Sequence, residues 1–549
     1  MAFRREIGLL GLTFIAVGGV LGSGWLFSPL LASQLAGPAA ILSWTIGAVA
    51  MMFLALTFAE ITAMFPVAGG LARIPQFSHG RLLSTVLGWS AWAGYCTTAP
   101  IEVEAALRYA STYLPALHGG QDESLSFLGI LASLGLLAVM TLLNAFGVAL
   151  FAKVNTSLTW VKLVFPVVFV FVIVADRFDA SNFTAHGGFA PLGLEGIFAA
   201  VASGGIAFAF IGFRHAIDMA GETRNPQKTI PRALILSILI CFLVYGAIQI
   251  VFVGGLSKEA LAGGWSSLDA AHSLGPLGAL ATSVGILWLV SMLNVAAVLS
   301  PLGGGLVSTG SNGRLAMAMS ENGVFPRLFA KLNSAGVPLH ALVLNFVVGG
   351  ILLFTTSFKG LVALNSSALV LSFMIGPVAV LSFRKVLADY PRPFSLPGGA
   401  PVAMLTFIAA TLMVYWSGWD TMWRLLLLLA VGLLILSPKL RAHDGERLHA
   451  RGALWLVPYL IVLGGIALLG GYGNGLDWIQ APWDSLLVAV LSVPIFFLAA
   501  RSHLPRAGVD RELATELQFA KEDYGHADAA ESALAEEVEE HPRPPKKEE

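Results

Sequence analysis

Residues 18–25 read Gly18-Gly19-Val20-Leu21-Gly22-Ser23-Gly24-Trp25, and they fall in the middle of the apolar run 7–35 rather than at its end. Glycine costs a helix interior about 1 kcal/mol per residue relative to alanine, so this cluster invites unwinding. In hydrocarbon, unwound backbone persists only where it lines a cavity or meets a ligand. The amides freed there, beside the N-terminus of the following half-helix, suit a carboxylate. Close packing through small residues is the competing reading of the same stretch. A second cluster, Ser203-Gly204-Gly205-Ile206-Ala207-Phe208-Ala209-Phe210-Ile211-Gly212-Phe213, interrupts the sixth apolar run. Carbonyls bared there suit an ammonium group, and Phe208 or Phe210 is placed to close over a ligand. Interrupted helices in corresponding positions of two halves point to a transporter site near the bilayer midplane. One amide-rich break with one carbonyl-rich break describes a site for a zwitterion such as an amino acid.

Composition sets the frame for this reading. Of 549 residues, 56% are hydrophobic and 12% charged, against about 25% charged in an ordinary soluble domain. The expected fold is an all-α polytopic membrane protein. Apolar runs at 7–35, 38–64, 82–114, 125–147, 154–176, 192–219, 231–255, 274–302, 338–356, 360–383, 401–419, 423–438, 453–472 and 485–500 give about fourteen transmembrane helices. With the N-terminus inside, twenty Lys and Arg residues fall in or beside cytoplasmic connections, against Arg177, Lys258, Lys359 and Arg424 on the other side. The positive-inside rule then places both termini in the cytoplasm. Arg4 and Arg5 before the first run resemble a signal peptide's start, but the run is too long for one and is expected to be retained. A net charge of -1 gives no footprint for nucleic acid. Cys96 and Cys241 sit in apolar runs and suggest neither a disulfide nor a metal site. No P-loop, nucleophile elbow or HExxH motif is present, so neither ATP-driven transport nor a cofactor is expected.

Several ordered motifs carry a family resemblance. These are Gly22-Ser23-Gly24, Ala59-Glu60-Ile61 with Phe65-Pro66-Val67-Ala68-Gly69-Gly70, and Ile211-Gly212-Phe213 leading to Gly221-Glu222-Thr223-Arg224-Asn225-Pro226. Further along come Arg314-Leu315-Ala316-Met317-Ala318-Met319 with Asn322-Gly323-Val324-Phe325-Pro326, and Arg392-Pro393-Phe394-Ser395-Leu396-Pro397-Gly398. Together they resemble the amino acid–polyamine–organocation permeases. The last helices and Tyr415-Trp416-Ser417-Gly418-Trp419-Asp420 look most like the bacterial aspartate–proton symporter branch. The resemblance implies a core of two inverted five-helix repeats, at 1–180 and 190–400, with helices 1 and 6 broken around the substrate. Four further helices at 401–502 and an acidic, largely disordered cytoplasmic tail at 503–549 complete this division. It also implies that Gly22, Ser23 and Gly24 take the substrate carboxylate, and that Phe208 and Ile211 offer carbonyls to the amine, with the Phe208 ring as a gate.

Several further positions bear on coupling and selectivity. Lys162 lies inside the fifth run, where a lysine is costly and is a functional candidate by default. The resemblance places it where sodium-coupled relatives hold their cation, so proton exchange there is expected, with snorkelling to the inner interface or a permanently charged strut as the alternatives. Glu102 and Glu104 share the third run but point to different faces. Glu104 is expected to pair with Arg108 at i,i+4, which leaves Glu102 as the proton-handling candidate. Arg214 and His215 follow Ile211-Gly212-Phe213, where many family members carry an acidic residue. A guanidinium there would favour an acidic side chain, while pairing with Asp218 is the structural alternative. His215 is expected to line the inner mouth, with proton sensing near neutral pH as the alternative. Glu60 and Arg73, and Glu222 with Arg232, are read as gating or structural pairs at the cytoplasmic end.

The sequence therefore points to a secondary transporter and not to an enzyme. It is read as importing amino acids by alternating access, most specifically by proton-coupled symport of aspartate or glutamate across the cell membrane. An amino acid exchanger and a symporter for neutral amino acids are alternatives; a channel or membrane-embedded enzyme is remote. The partners expected are the amino acid, the proton and the lipid bilayer. The thirteenth and fourteenth runs suggest packing or a homodimer contact.

Overall fold

The computed structural model describes residues 7–514 apart from 112, 118, 120–124, 147, 269–274, 357 and 442–448. The described residues contain no β-strand, only helices joined by short connections and two isolated bridges. This follows from a chain whose backbone groups must find partners within hydrocarbon, where a helix satisfies them along its own length.

The first crossing is two helices, α1 (Leu9–Val20) and α2 (Gly24–Ala36), separated at the glycine cluster. Then follow α3 (Ala40–Met64), the short α4 (Gly70–His79), α5 (Arg81–Ala110), α6 (Phe127–Ala145) and α7 (Val148–Arg177). The sixth apolar run is divided into α8 (Gly193–Ala202), α9 (Ile206–Phe210), a 3-10 turn at Ile211–Phe213 and α10 (Arg214–Asp218). Next come α11 (Pro226–Gly255), α12 (Gly275–Val284), α13 (Leu287–Glu321), α14 (Leu339–Thr355), α15 (Phe358–Phe373) and α16 (Ile375–Val386). The chain continues through α17 (Gly399–Tyr415), α18 (Trp419–Arg441), α19 (Leu456–Leu469) and α20 (Trp483–Arg501).

Among the described residues, nine helices are long and apolar enough to cross a membrane, or ten with the pair Gly193–Ala202 and Ile206–Asp218, bent by 41°. The fourteen runs of the sequence reading divide this material differently. Residues Gly24–Met64 form one continuous apolar stretch, and α1 is cut short by the break. One run needs correction: the eighth does not end at 302 but starts as α12 and continues in α13 to Glu321. Gly303, Gly304 and Gly305, just past the expected end at 302, stay helical because α13 presses its backbone against other helices there. A Cβ on Gly304 would approach the Gly22 Cα to 3.1 Å.

Helix α1 lies at the centre, packed by α7, α11 and α13. At the edge, α17 packs on α20 and α18 on α19. Tyr415 donates to Asp484 Oδ2 at 2.6 Å, and Trp416 donates to Ser485 Oγ at 3.0 Å. The Trp416 ring also stacks on Phe198 of α8 at 4.6 Å, which ties this edge to the second broken crossing. The segment 506–514 is helical; the remainder of the acidic tail lies outside the described residues.

The end of the bundle that carries α4 is closed by ion pairs. Glu60 accepts from Arg384 Nε at 2.9 Å and Nη2 at 2.7 Å, and from the Leu396 amide at 2.7 Å. Arg392 approaches it to 3.6 Å. Arg73 reaches Asn322 Oδ1 at 2.7 Å and Glu321 at 3.4 Å. Glu222 is paired with Arg314 at 2.5 and 3.1 Å, not with Arg232, which is exposed on α11. The extension of α13 to Glu321 places Arg314 inside the helix and buries it.

Candidate functional site

The break in the first crossing frees backbone groups, and each neighbouring helix contributes a side chain to them. Lys162 of α7 donates to the Gly18 carbonyl at 2.6 Å. Tyr245 of α11 donates to the Val20 carbonyl at 2.6 Å. Ser300 of α13 donates to the Leu21 carbonyl at 2.8 Å, contacts that of Gly22 at 3.2 Å, and accepts from Trp25 Nε1 at 3.0 Å. Glu102 of α5 accepts the Ser23 amide at 2.8 Å. Unwound backbone in an apolar bundle is stable only when satisfied in this way. Gly22 is required by that closeness, since a Cβ there would fall on the Glu102 carboxylate.

The second break faces the first. Gly205 has φ +81, a left-handed conformation that suits glycine and separates α8 from α9. Gly212, in the 3-10 turn, lies directly against the α1 backbone, and a Cβ there would overlap Gly19 and Val20. The two interrupted crossings therefore touch at their weakest points.

A small cavity lies between them, lined by Gly19, Val20, Thr98, Glu102, Phe208, Ile211, Gly212, Arg214, His215 and Asn365. Of the residues expected at the site, Glu102, Phe208, Ile211 and Arg214 reach this cavity. Gly22, Ser23 and Gly24 form its neighbouring break, and the Ser23 amide expected to be open is held by Glu102. Lys162 stands behind the break, only 1% exposed, which overturns the snorkelling alternative. Phe208 is half-buried at the cavity, whereas Phe210 is in the core between Trp44 and Tyr245.

The alternative pairing of Arg214 with Asp218 is not formed. Tyr95 intervenes: its ring lies 3.9 Å beneath the Arg214 guanidinium carbon, and its hydroxyl donates to Asp218 Oδ2. Arg214 Nη2 donates to Thr98 Oγ1 at 3.0 Å, and its Nε has no hydrogen-bond partner among the described residues. Burying an arginine without a carboxylate is costly, and the cation–π contact recovers only part of that cost. His215 Nδ1 lies 2.8 Å from Ser311 Oγ, deep beside Gly19 rather than at an open mouth. Glu104 pairs with Arg108 at 3.0 Å as expected.

Sequence reading missed Thr98, Tyr95 and Asn365. Asn365 is fully buried in α15 and bonds across to α5 through its Nδ2. An asparagine inside an apolar run was the available signal, since polar residues within a span usually face the bundle interior.

Comparison with known proteins agrees with this architecture. Residues 7–435 match the family model described as amino acid permease. The glutamate/serine transporter AimA of Bacillus subtilis (strain 168) is 35% identical over 512 residues, covering 91% of this chain and 94% of the relative. The aspartate-proton symporter of the same organism is 33% identical over 519 residues, covering 92% and 98%. The branched-chain amino acid permease BcaP, also of that organism, is 27% identical over 458 residues, covering 81% and 94%. The chain belongs to the amino acid permease family of the amino acid–polyamine–organocation superfamily, and it is a multi-pass membrane transporter of amino acids, not an enzyme.

Proposed function

We propose that this transporter imports an acidic amino acid, aspartate or glutamate, together with a proton. The observation that carries this reading is Arg214, a buried guanidinium that lines the cavity between the two breaks and, among the described residues, has no carboxylate within ion-pair distance. A substrate carboxylate can complete it by bidentate pairing. The relatives named for glutamate and serine and for aspartate and protons support the same direction.

In this account the substrate α-carboxylate replaces Glu102 at the Ser23 amide, beside Gly22 and Gly24. The α-amine meets carbonyls at Phe208 and Ile211, and the Phe208 ring closes over it. Glu102, displaced from its amide, takes up a proton. Lys162 changes proton occupancy as the site turns inward and so makes or releases its bond to the Gly18 carbonyl. Alternating access then rocks the elements around the paired breaks. The division into inverted repeats at 1–180 and 190–400, the fourteen crossings with 401–502 as an addition, both termini in the cytoplasm and the cell-membrane location belong to the same proposal.

The test is uptake of labelled aspartate into proteoliposomes with an empty lumen, with and without an inward proton gradient. Accumulation that requires the gradient and is blocked by unlabelled aspartate or glutamate is the expected result. Uptake that begins only after the lumen is preloaded with amino acid would make the protein an exchanger.

A further inference from the structure

The side-chain end of the cavity contains an acceptor as well as a donor. Asn365 Nδ2 lies 2.8 Å from the Gly94 carbonyl, 3.0 Å from Thr97 Oγ1 and 2.8 Å from Thr98 Oγ1, and shares its two N–H groups among them. Those partners fix which way the amide points. The Gly94 carbonyl can only accept, and both threonine hydroxyls direct their own hydrogens to that carbonyl, at 2.7 and 3.3 Å. Turning the amide over would set its oxygen 2.8 Å from the Gly94 carbonyl oxygen, which has no hydrogen to give. The Asn365 oxygen is therefore held away from α5, and among the described residues it is buried without a hydrogen-bond partner, in a residue that lines the cavity. Arg214 donates to the same Thr98 oxygen at 3.0 Å, so the guanidinium and the Asn365 amide group meet at one atom and line the same cavity.

We propose that Asn365 and Arg214 together form a subsite for a side-chain carboxamide, so that asparagine binds in the same cavity as an acidic amino acid. The proposal rests on the reading of this cavity as the substrate site. A carboxamide offers an oxygen to Arg214 and an N–H to the Asn365 oxygen and satisfies both. An ionised carboxylate satisfies Arg214 but offers the Asn365 oxygen only lone pairs. Leucine, with the same branching as asparagine, satisfies neither. A site built around buried polar groups rejects the isostere that leaves them unpaired, in the strongest cases by about 10⁴–10⁵-fold.

The experiment measures uptake of labelled asparagine, and separately of labelled aspartate, in proteoliposomes of the full chain, with unlabelled asparagine and leucine as competitors. In the unaltered protein, asparagine is expected to be taken up and to compete at least tenfold better than leucine. In Asn365→Ala that asparagine-over-leucine preference is expected to fall at least tenfold, because the acceptor is gone while Arg214 remains. Equal competition by asparagine and leucine in the unaltered protein overturns the proposal without recourse to a variant. An unchanged preference in a folded Asn365→Ala protein overturns it as well. Uptake of asparagine with none of aspartate would overturn the acidic reading and leave this subsite standing, whereas aspartate uptake indifferent to asparagine would do the reverse.

Discussion

The centre of the bundle and the end that carries α4 hold similar numbers of buried charges, but they treat them differently. At the end, Arg314 is matched to Glu222 and Glu60 to Arg384, with distances of 2.5 and 2.7 Å. At the centre, Lys162, Glu102 and Arg214 bond instead to a carbonyl, an amide and a hydroxyl. Ion pairs between buried groups are hard to break one partner at a time and so fix geometry. Charges held by neutral groups can exchange those partners for a ligand or a proton at far smaller cost. The contrast assigns construction to the end and work to the centre.

The largest effect that would sharpen this contrast is at Lys162. Lys162→Ala is expected to abolish accumulation of substrate against its gradient, while exchange of labelled for unlabelled substrate across the vesicle continues. Gradient-driven accumulation at the original level would remove the coupling role. Next is the end of the bundle: Arg314→Gln strands Glu222 without a counter-charge and is expected to cost about 3–5 kcal/mol, seen as a lower thermal midpoint in detergent. A midpoint equal to that of the unaltered protein would mean the pair is not structural. Glu102→Gln keeps an oxygen able to accept the Ser23 amide but cannot carry a negative charge. It is expected to fold normally and to flatten the pH dependence of uptake; a pH profile superimposable on the original would take Glu102 out of the proton pathway. The smallest effect belongs to Glu104, whose i,i+4 pair with Arg108 is partly exposed. Glu104→Gln should lower stability by less than Arg314→Gln does and leave uptake unaltered, and a loss of uptake would show that this carboxylate also works.

How far the sequence discloses this arrangement follows from the range of each interaction. The break at Gly22 to Gly24 is legible because the cost of glycine in a helix is local. Lys162 and Glu102 are legible because a charge in hydrocarbon needs a reason wherever it sits. The partners are not legible. Glu222 chooses Arg314 over Arg232 because only the fold brings α13 alongside it, and Asn365 meets Thr98 across 267 positions of chain. The same limit explains the eighth run: Gly303 to Gly305 end a helix on local grounds, but as the contact surface for Gly22 and Lys162 they lie inside one.

The most direct measurement places Arg214→Gln and Arg314→Gln side by side and records both thermal midpoint and aspartate uptake for each. Arg214→Gln is expected to keep its midpoint, since no paired carboxylate is left behind, and to lose at least tenfold in uptake. Arg314→Gln is expected to lose stability first. If instead Arg214→Gln unfolds the protein and Arg314→Gln spares its stability, the division between working and building charges is contradicted.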